Sequence, residues 1–354
     1  MLLLLASRQE DLVGPIIPPP DGIQSNFDNP PNQNVLSRAI ILCCLVLSTA
    51  FILLRSCARF QQATRPNIVD VSLALAFAIF IPCVYLCYRL TYTGGYFVHG
   101  WDVRLGDLPA FEHPHFVLNI LYIVIITLIK IAILTEWTHI FVPRGTRPPF
   151  WWLCRITTGI VAVWGIISLV FVNINCTPYE ANWNALLPSR MCRYNPSAMT
   201  LPGAAVNFLL DLVPLILPHR IIWNLQLSKS QKIGVSLAFA AGLLGVFAAV
   251  ARLLLAAKFM ESPDQLYFIT VSELTSLVEL TCGILVLCIP STPKALSVFS
   301  FLRSRLGSLK RSRTELSHAH SLPITSNSSR YAQIDERSVI QLRNIQHRRQ
   351  SCTK

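Results

Sequence analysis

Charge is what this 354-residue sequence has least of: 14% of its residues are Asp, Glu, Lys or Arg and 53% are hydrophobic, for a mean hydropathy of +0.49. Soluble domains carry about 25% charged residues, so an ordinary aqueous surface is excluded and the bilayer must be the solvent. No HExxH, GxSxG, nucleotide-binding loop or Cys/His nucleophile pair is present, which removes the usual signatures of an enzyme. The eleven cysteines contain no CxxC pair, so neither zinc nor thioredoxin-like chemistry is indicated. Most of them (Cys43, Cys44, Cys83, Cys87, Cys154, Cys282, Cys288) lie inside apolar runs and read as small packing residues. The opening Met1–Leu5 has no basic n-region and is shorter than the roughly seven apolar residues that a signal peptide needs.

Apolar runs near the roughly 20 residues that cross a bilayer are present at about 35–57, 68–90, 115–142, 153–174, 199–222, 233–257 and 267–289. The fold class is therefore an all-α membrane protein, a seven-helix transmembrane bundle. Pro82, Pro202, Pro214 and Pro218 remove backbone donors inside spans, where kinks are expected. Residues 1–34, with Pro18-Pro19-Pro20 and Pro30-Pro31, are expected to form a disordered outer tail. Residues 35–300 form the transmembrane unit, and 301–354 a disordered, Ser/Thr-rich basic tail.

The formal charge of +12 is concentrated in that tail, where residues 291–354 hold twelve Lys/Arg against three acids. This is a juxtamembrane pattern that favours anionic lipid rather than nucleic acid. Thr314, Ser317, Ser321, Ser326 and Ser328 stand among the arginines, and their phosphorylation would weaken that attraction. Arg55, Arg59 and Arg65, then Arg144 and Arg147, then Arg220, Lys229 and Lys232 fall on the tail's side of the membrane. The opposite loops mix Arg104, Arg190, Arg193 and Lys258 with Asp102, Asp107, Glu112, Glu180, Glu261 and Asp264. The positive-inside rule places the N-terminus outside and the C-terminus in the cytosol.

The ordered motifs resemble the fungal rhodopsin-domain family of integral membrane proteins. Arg55 and Arg59 followed by Asp70 match its junction of spans one and two, with Val69 where a first Asp is usual. Gly94-Gly95-Tyr96-Phe97-Val98-His99-Gly100-Trp101-Asp102 matches its outer-loop motif. The Lys130-Ile-Ala-Ile-Leu stretch matches span three, with His139 where an Arg is usual. Cys176-Thr-Pro178 through Trp183 to Cys192 matches its long outer loop. Asn207, Asp211, Pro218, Trp223, Gln226, Gln231-Lys232-Ile233 and Arg252 match spans five and six, and Glu279, Gly283, Cys288, Pro290 and Pro293 the last span.

The resemblance implies a receptor-like membrane protein, or alternatively a transporter or accessory of a fungal specialised-metabolite pathway, since relatives occur in such gene clusters. Retinal is not expected, because residues 267–289 contain no lysine for a Schiff base. Animal-type coupling motifs are also missing: Glu136-Trp-Thr-His139 stands where Asp-Arg-Tyr would be, and Leu287-Cys-Ile-Pro290 where Asn-Pro-x-x-Tyr would be. No cofactor, metal or enzymatic activity is expected. The expected partners are membrane lipid, an extracellular ligand and a cytosolic signalling protein, and the expected location is the plasma membrane.

Cys176 and Cys192 share an outer loop on an oxidising face and are expected to form a disulfide. His99, Trp101 and Asp102 read as a structured loop, with Trp101 at the headgroup level and Asp102 capping a turn. Ionisable residues inside spans cost at least about 2.5 kcal/mol when they face lipid, so they find interior partners. Counting depth along each span brings Lys130, Asp211 and Glu279 to one level and pairs Arg252 with Glu273 nearer the outer face. Asp70 is expected to pair with Arg55 or Arg59 at the inner interface.

The topology has a direct check. A cytosol-dependent reporter fused after Lys354 should be active, while protease added to intact cells should remove the N-terminal tail; a protected N-terminal tail with an exposed Lys354 would reverse the orientation.

Overall fold

The computed structural model describes residues 12–61, 67–143, 145–217 and 229–291. Seven long helices are present among them: α1 (Asn34–Gln61), α2 (Ile68–Thr93), α3 (Leu108–Phe141), α4 (Pro149–Ile174), α5 (Pro196–Ile216), α6 (Lys229–Glu261) and α7 (Gln265–Cys288). Each contains an 18-residue window of mean hydropathy between 1.6 and 2.6, long and apolar enough to cross a bilayer. Seven crossings put the start of α1 and the end of α7 on opposite faces, here termed the N-terminal and C-terminal faces. Helix α3 starts at Leu108, ahead of the apolar run, because Pro109 at its first turn needs no donor there. Pro82, Pro202 and Pro214 all lie within continuous helices. Pro218, Trp223, Gln226, Arg65, Arg144, Arg220, residues 1–11 and the basic tail with its serines and threonines lie outside the described residues.

Helices α3 and α7 form the centre: 50% and 56% of their apolar windows are buried, against 17–33% for the other five. Their inward stripes repeat every three or four residues (Leu118, Tyr122, Ile125 and Ile129 on α3; Leu277, Leu280 and Ile284 on α7) and meet Leu73, Phe80 and Cys87 of α2 and Ile41 of α1. Gly283 permits this approach, since a Cβ there would lie 2.7 Å from Ile129 Cγ2. The perimeter exposes Val46, Ile166, Phe247 and Leu254 to the surroundings, as a lipid-facing surface requires. Cys44, Cys83, Cys87, Cys154, Cys282 and Cys288 are buried packing residues, but Cys43 is exposed on α1. Cys43 is adjacent to Cys44, and at 3.6 residues per turn the step of about 100° between them turns Cys43 out to the perimeter.

The expected free tail is, from residue 12 onward, a strap lying against the loops of the N-terminal face. The amide of Leu105 donates to Gly14 O at 2.9 Å, that of Ile16 to Gly100 O and Val103 O, and that of Gln33 to Tyr96 O. The Asn34 side chain accepts from the Tyr96 amide at 2.8 Å, and Ile16 packs on Leu108, Phe111 and Leu266. Its proline-rich composition cannot make a core alone, but the loops supply both apolar surface and hydrogen-bond partners.

Between α4 and α5, β1 (Cys176–Thr177) pairs antiparallel with β2 (Met191–Cys192), and Cys176 is bonded to Cys192. The closed loop carries Trp183 onto Phe116 of α3 and onto Tyr179. Asn175 bonds both ways with Tyr194, locking the loop's base.

Closing a loop of this length stabilises by about 3 kcal/mol. Replacing Cys176 and Cys192 together by serine should lower the thermal unfolding midpoint of detergent-purified protein by several degrees. Reductant should shift the native protein but not the double variant; equal midpoints for both would refute the structural role of the bridge.

Candidate functional site

A network of polar and charged side chains crosses the bundle interior at mid-depth. Tyr122 and Lys130 lie two turns apart on α3, Asn207 and Asp211 one turn apart on α5, Arg252 on α6 and Glu279 on α7. Lys130 Nζ sits 3.0 Å from Asp211 Oδ1 and donates to Asn207 Oδ1 at 2.8 Å and to Asn207 O at 3.0 Å. Arg252 Nε lies 3.2 Å from Glu279 Oε2, with its guanidinium carbon 4.5 Å from the Tyr122 ring centroid. The Tyr122 hydroxyl donates to Glu279 Oε1 at 2.8 Å. The Asn207 amide nitrogen lies 2.9 Å from Glu279 Oε1, 3.1 Å from Asp211 Oδ2 and 3.0 Å from the Tyr122 oxygen. Two cations and two carboxylates are thus joined into one neutral cluster with Asn207 at its hub.

Four of the five residues expected to form an intramembrane network meet here, but the second expected pair does not. Arg252 contacts Glu279, whereas Glu273 lies 3.8 Å from His115 Nδ1. The reason is directional. A helical side chain leans toward its own N-terminus, and α6 and α7 run antiparallel, so Arg252 reaches toward the C-terminal face while Glu273 leans away from it.

A cavity of about 70 Å³ adjoins this cluster between α3, α5, α6 and α7. Lys130, Asp211 and Glu279 line one end, Trp137 lies about two turns further along α3, and Gly242 and Val286 are among the apolar residues between.

The second charged cluster lies toward the C-terminal face. Arg55, 2% exposed, reaches Asp70 at 3.1 Å and Glu136 at 3.2 Å and donates to the Leu287 carbonyl. Arg59 sits 3.4 Å from Asp70 and 3.6 Å from Glu136. Arg55, Arg59 and Asp70, singled out in the sequence, therefore come together, but around a fourth member, Glu136, that was weighed only against the animal-receptor motif. A lone acid near the end of an apolar span was the available signal. Below the cluster opens a cleft of about 690 Å³ lined by Arg59, Glu136, His139, Trp151 and Arg155.

On the N-terminal face, His99 Nδ1 meets Asp264 Oδ2 at 2.6 Å. Its ring is sandwiched between Trp101 and Tyr267, with centroids 4.1 and 4.7 Å away. Trp101 is thus part of a stack. Asp102 is buried and accepts the Asn26 amide at 2.9 Å, fixing the strap. Phe97 holds a φ of 63°, unusual for a bulky residue, and its amide donates to Thr270 Oγ1. Tyr122 and His115 carry no signal in the sequence, and Asp264 reads there only as one of the outer-loop charges, since each is an ordinary residue until a distant partner is known.

The family model described as "Fungal rhodopsin domain" matches residues 54–298. A Gibberella zeae protein named "Fugralins biosynthesis cluster protein 2" is 33% identical over 296 residues, covering 83% of this chain and 73% of that protein. A "SAT4 family membrane protein" of Emericella nidulans is 28% identical over 228 residues, covering 61% of this chain and 53% of its own. No solved structure matches the chain.

The pairing makes a selective prediction. Removing one partner of a buried ion pair costs about 3–5 kcal/mol, so Lys130→Met should sharply reduce folded protein. Adding Asp211→Asn should restore much of it, while adding Glu279→Gln should not, because that strands Arg252. Fluorescence-detected size exclusion of tagged variants measures this, and equal rescue by both would refute the pairing.

Proposed function

This chain belongs to the fungal rhodopsin domain family, and from that premise we propose that it is a receptor-like, multi-pass protein of the plasma membrane that senses an extracellular small molecule. The observation that carries the reading is that α3 and α7 each contribute to both charged clusters. On α3, Glu136 follows Lys130 by six residues, about 9 Å along the axis; on α7, Leu287 follows Glu279 by eight, about 12 Å. Both helices are packed rigidly against one another, so displacement at the mid-depth network is carried to Arg55. In this reading the buried Arg55 cluster, whose guanidinium has discrete partners rather than a continuum of them, is the element that exchanges between two arrangements. The cleft beneath it, with Arg59, His139 and Arg155, offers a cytosolic signalling partner a surface that would change with that element.

A second reading has its own support: the 33% identical relative is named for a biosynthesis cluster, which fits an accessory or transporter of a specialised-metabolite pathway.

Spin labels at the exposed Phe60 of α1 and Ile140 of α3 test the first reading. Glu136→Gln, which removes a charge from Arg55, should shift the label distance distribution by several ångströms, and an agonist should shift the native protein toward the same distribution. If no shift occurs while deletion of the gene alters the metabolite profile, the accessory reading replaces the receptor one.

A further inference from the structure

We infer that the cavity between α3, α5, α6 and α7 is a binding site for the neutral polar end of a slender apolar molecule that enters from the bilayer. The observations concern charge, size, access and hydrogen bonding.

The charged groups lining the cavity are already neutralised, Lys130 by Asp211 at 3.0 Å and Glu279 by Arg252 at 3.2 Å. A carboxylate or an amine entering beside them would bring an uncompensated charge into the middle of a membrane span, which is disfavoured. The rest of the lining is apolar. A neutral guest is what this electrostatic arrangement accepts.

Size narrows the class. A dry cavity of about 150 Å³ holds benzene, so about 70 Å³ admits only the first few heavy atoms of a chain and not a fused ring system. The remainder of the guest must lie elsewhere. Among the lining residues, Gly242, Gly245 and Val246 of α6 and Leu215 of α5 are only half-buried. The cavity therefore reaches the lipid-facing perimeter within the apolar length of α6. A guest can place its end inside and its tail in the bilayer, and an extracellular apolar molecule reaches such a site by partitioning into the membrane.

Trp137 supplies a means of recognition. It lines the cavity and is buried, yet among the described residues its indole Nε1–H has no acceptor. A buried donor without a partner is costly, and a guest bringing a hydroxyl or carbonyl oxygen would satisfy it. At the other end, Glu279 Oε2 touches Arg252 as an ion pair but accepts no hydrogen bond among the described residues, and so has capacity for a guest hydroxyl.

This deepens the receptor reading by naming its ligand class; the signalling consequence rests on that reading, while the binding does not. The probes are 1-alkanols and 2-alkanones of six to ten carbons, with the matching carboxylic acids, alkylamines and alkanes, added to the full chain in nanodiscs and followed by thermal unfolding. The neutral oxygenated probes should raise the unfolding midpoint; acids, amines and alkanes at equal concentration should not.

Two variants localise the effect. A Cβ at Gly242 would lie 3.0 Å from Leu215 Cδ1 and 3.8 Å from Val286 Cγ2, both cavity walls, so Gly242→Val plugs the space and should abolish the rise. Trp137→Phe keeps an aromatic body and should weaken the apparent affinity, read against its own probe-free midpoint, about tenfold through the lost hydrogen bond. A rise that persists in Gly242→Val, or acids and amines that match the alcohols, would overturn the site. If Gly242→Val does not fold, unchanged affinity in Trp137→Phe would overturn it instead. Reading the Phe60/Ile140 label distance in the same samples separates the two claims: binding without movement removes the receptor reading and leaves the site, while movement without binding at this cavity does the reverse.

Discussion

Inside a bilayer a charged side chain has no water to fall back on, and that constraint organises this molecule. Lys130, Asp211, Arg252 and Glu279 come from four helices, and each is an expense to its own helix in isolation. Brought together they form an assembly of zero net charge in which Asn207 spends both its amide and its carbonyl oxygen holding the two ion pairs side by side. The arrangement specifies how α3, α5, α6 and α7 must be placed, because rotating any one of them would strand a charge. Apolar packing does not discriminate so sharply, since lipid tails are as good a neighbour for leucine as another helix is.

The same constraint acts at the second cluster with a different geometry. Arg55 is shared between α2 and α3 acids and a backbone carbonyl of α7, so one guanidinium ties four helices where its planar donor fork can serve several acceptors at once. Two cations facing two carboxylates again sum to zero. Helices α3 and α7 each supply members to both clusters, Lys130 and Glu136 from one and Glu279 and the Leu287 carbonyl from the other.

What could be read from the sequence follows from how local each signal is. The seven spans were legible because length and hydropathy are properties of one segment. The disulfide was legible because both cysteines stand in one short loop. Pairings between spans were only half legible: counting residues from each span's end brought Lys130 to the level of Asp211 and Glu279, but that count places Cα atoms, not side-chain tips. Arg252 and Glu273 are at similar Cα depth and lean in opposite directions, so the count paired them wrongly. Asn207 was legible only as a residue of the family motif; its place as a hub depends on Tyr122 and Lys130 of α3 and Glu279 of α7, which no local signal joins to it. The strap failed for a related reason, since a proline-rich composition says that residues 12–33 cannot bury one another and says nothing of loops far along the chain that can cover them.

The cavity adjoins the network, sharing Lys130, Asp211 and Glu279 with it. The next layer toward the C-terminal face is then lined by small residues, Gly242, Gly245 and Gly283, with Trp137 at its far end. Glycines at such positions would ordinarily let helices close on each other, as Gly283 does against Ile129. Gly242 and Gly245 also lie close to their neighbours, a Cβ at Gly242 falling 3.0 Å from Leu215 Cδ1 and one at Gly245 3.2 Å from Cys282 Cβ. The slot is the space between these contacts and a charged layer whose ion pairs already balance, so a neutral guest would leave those pairs intact.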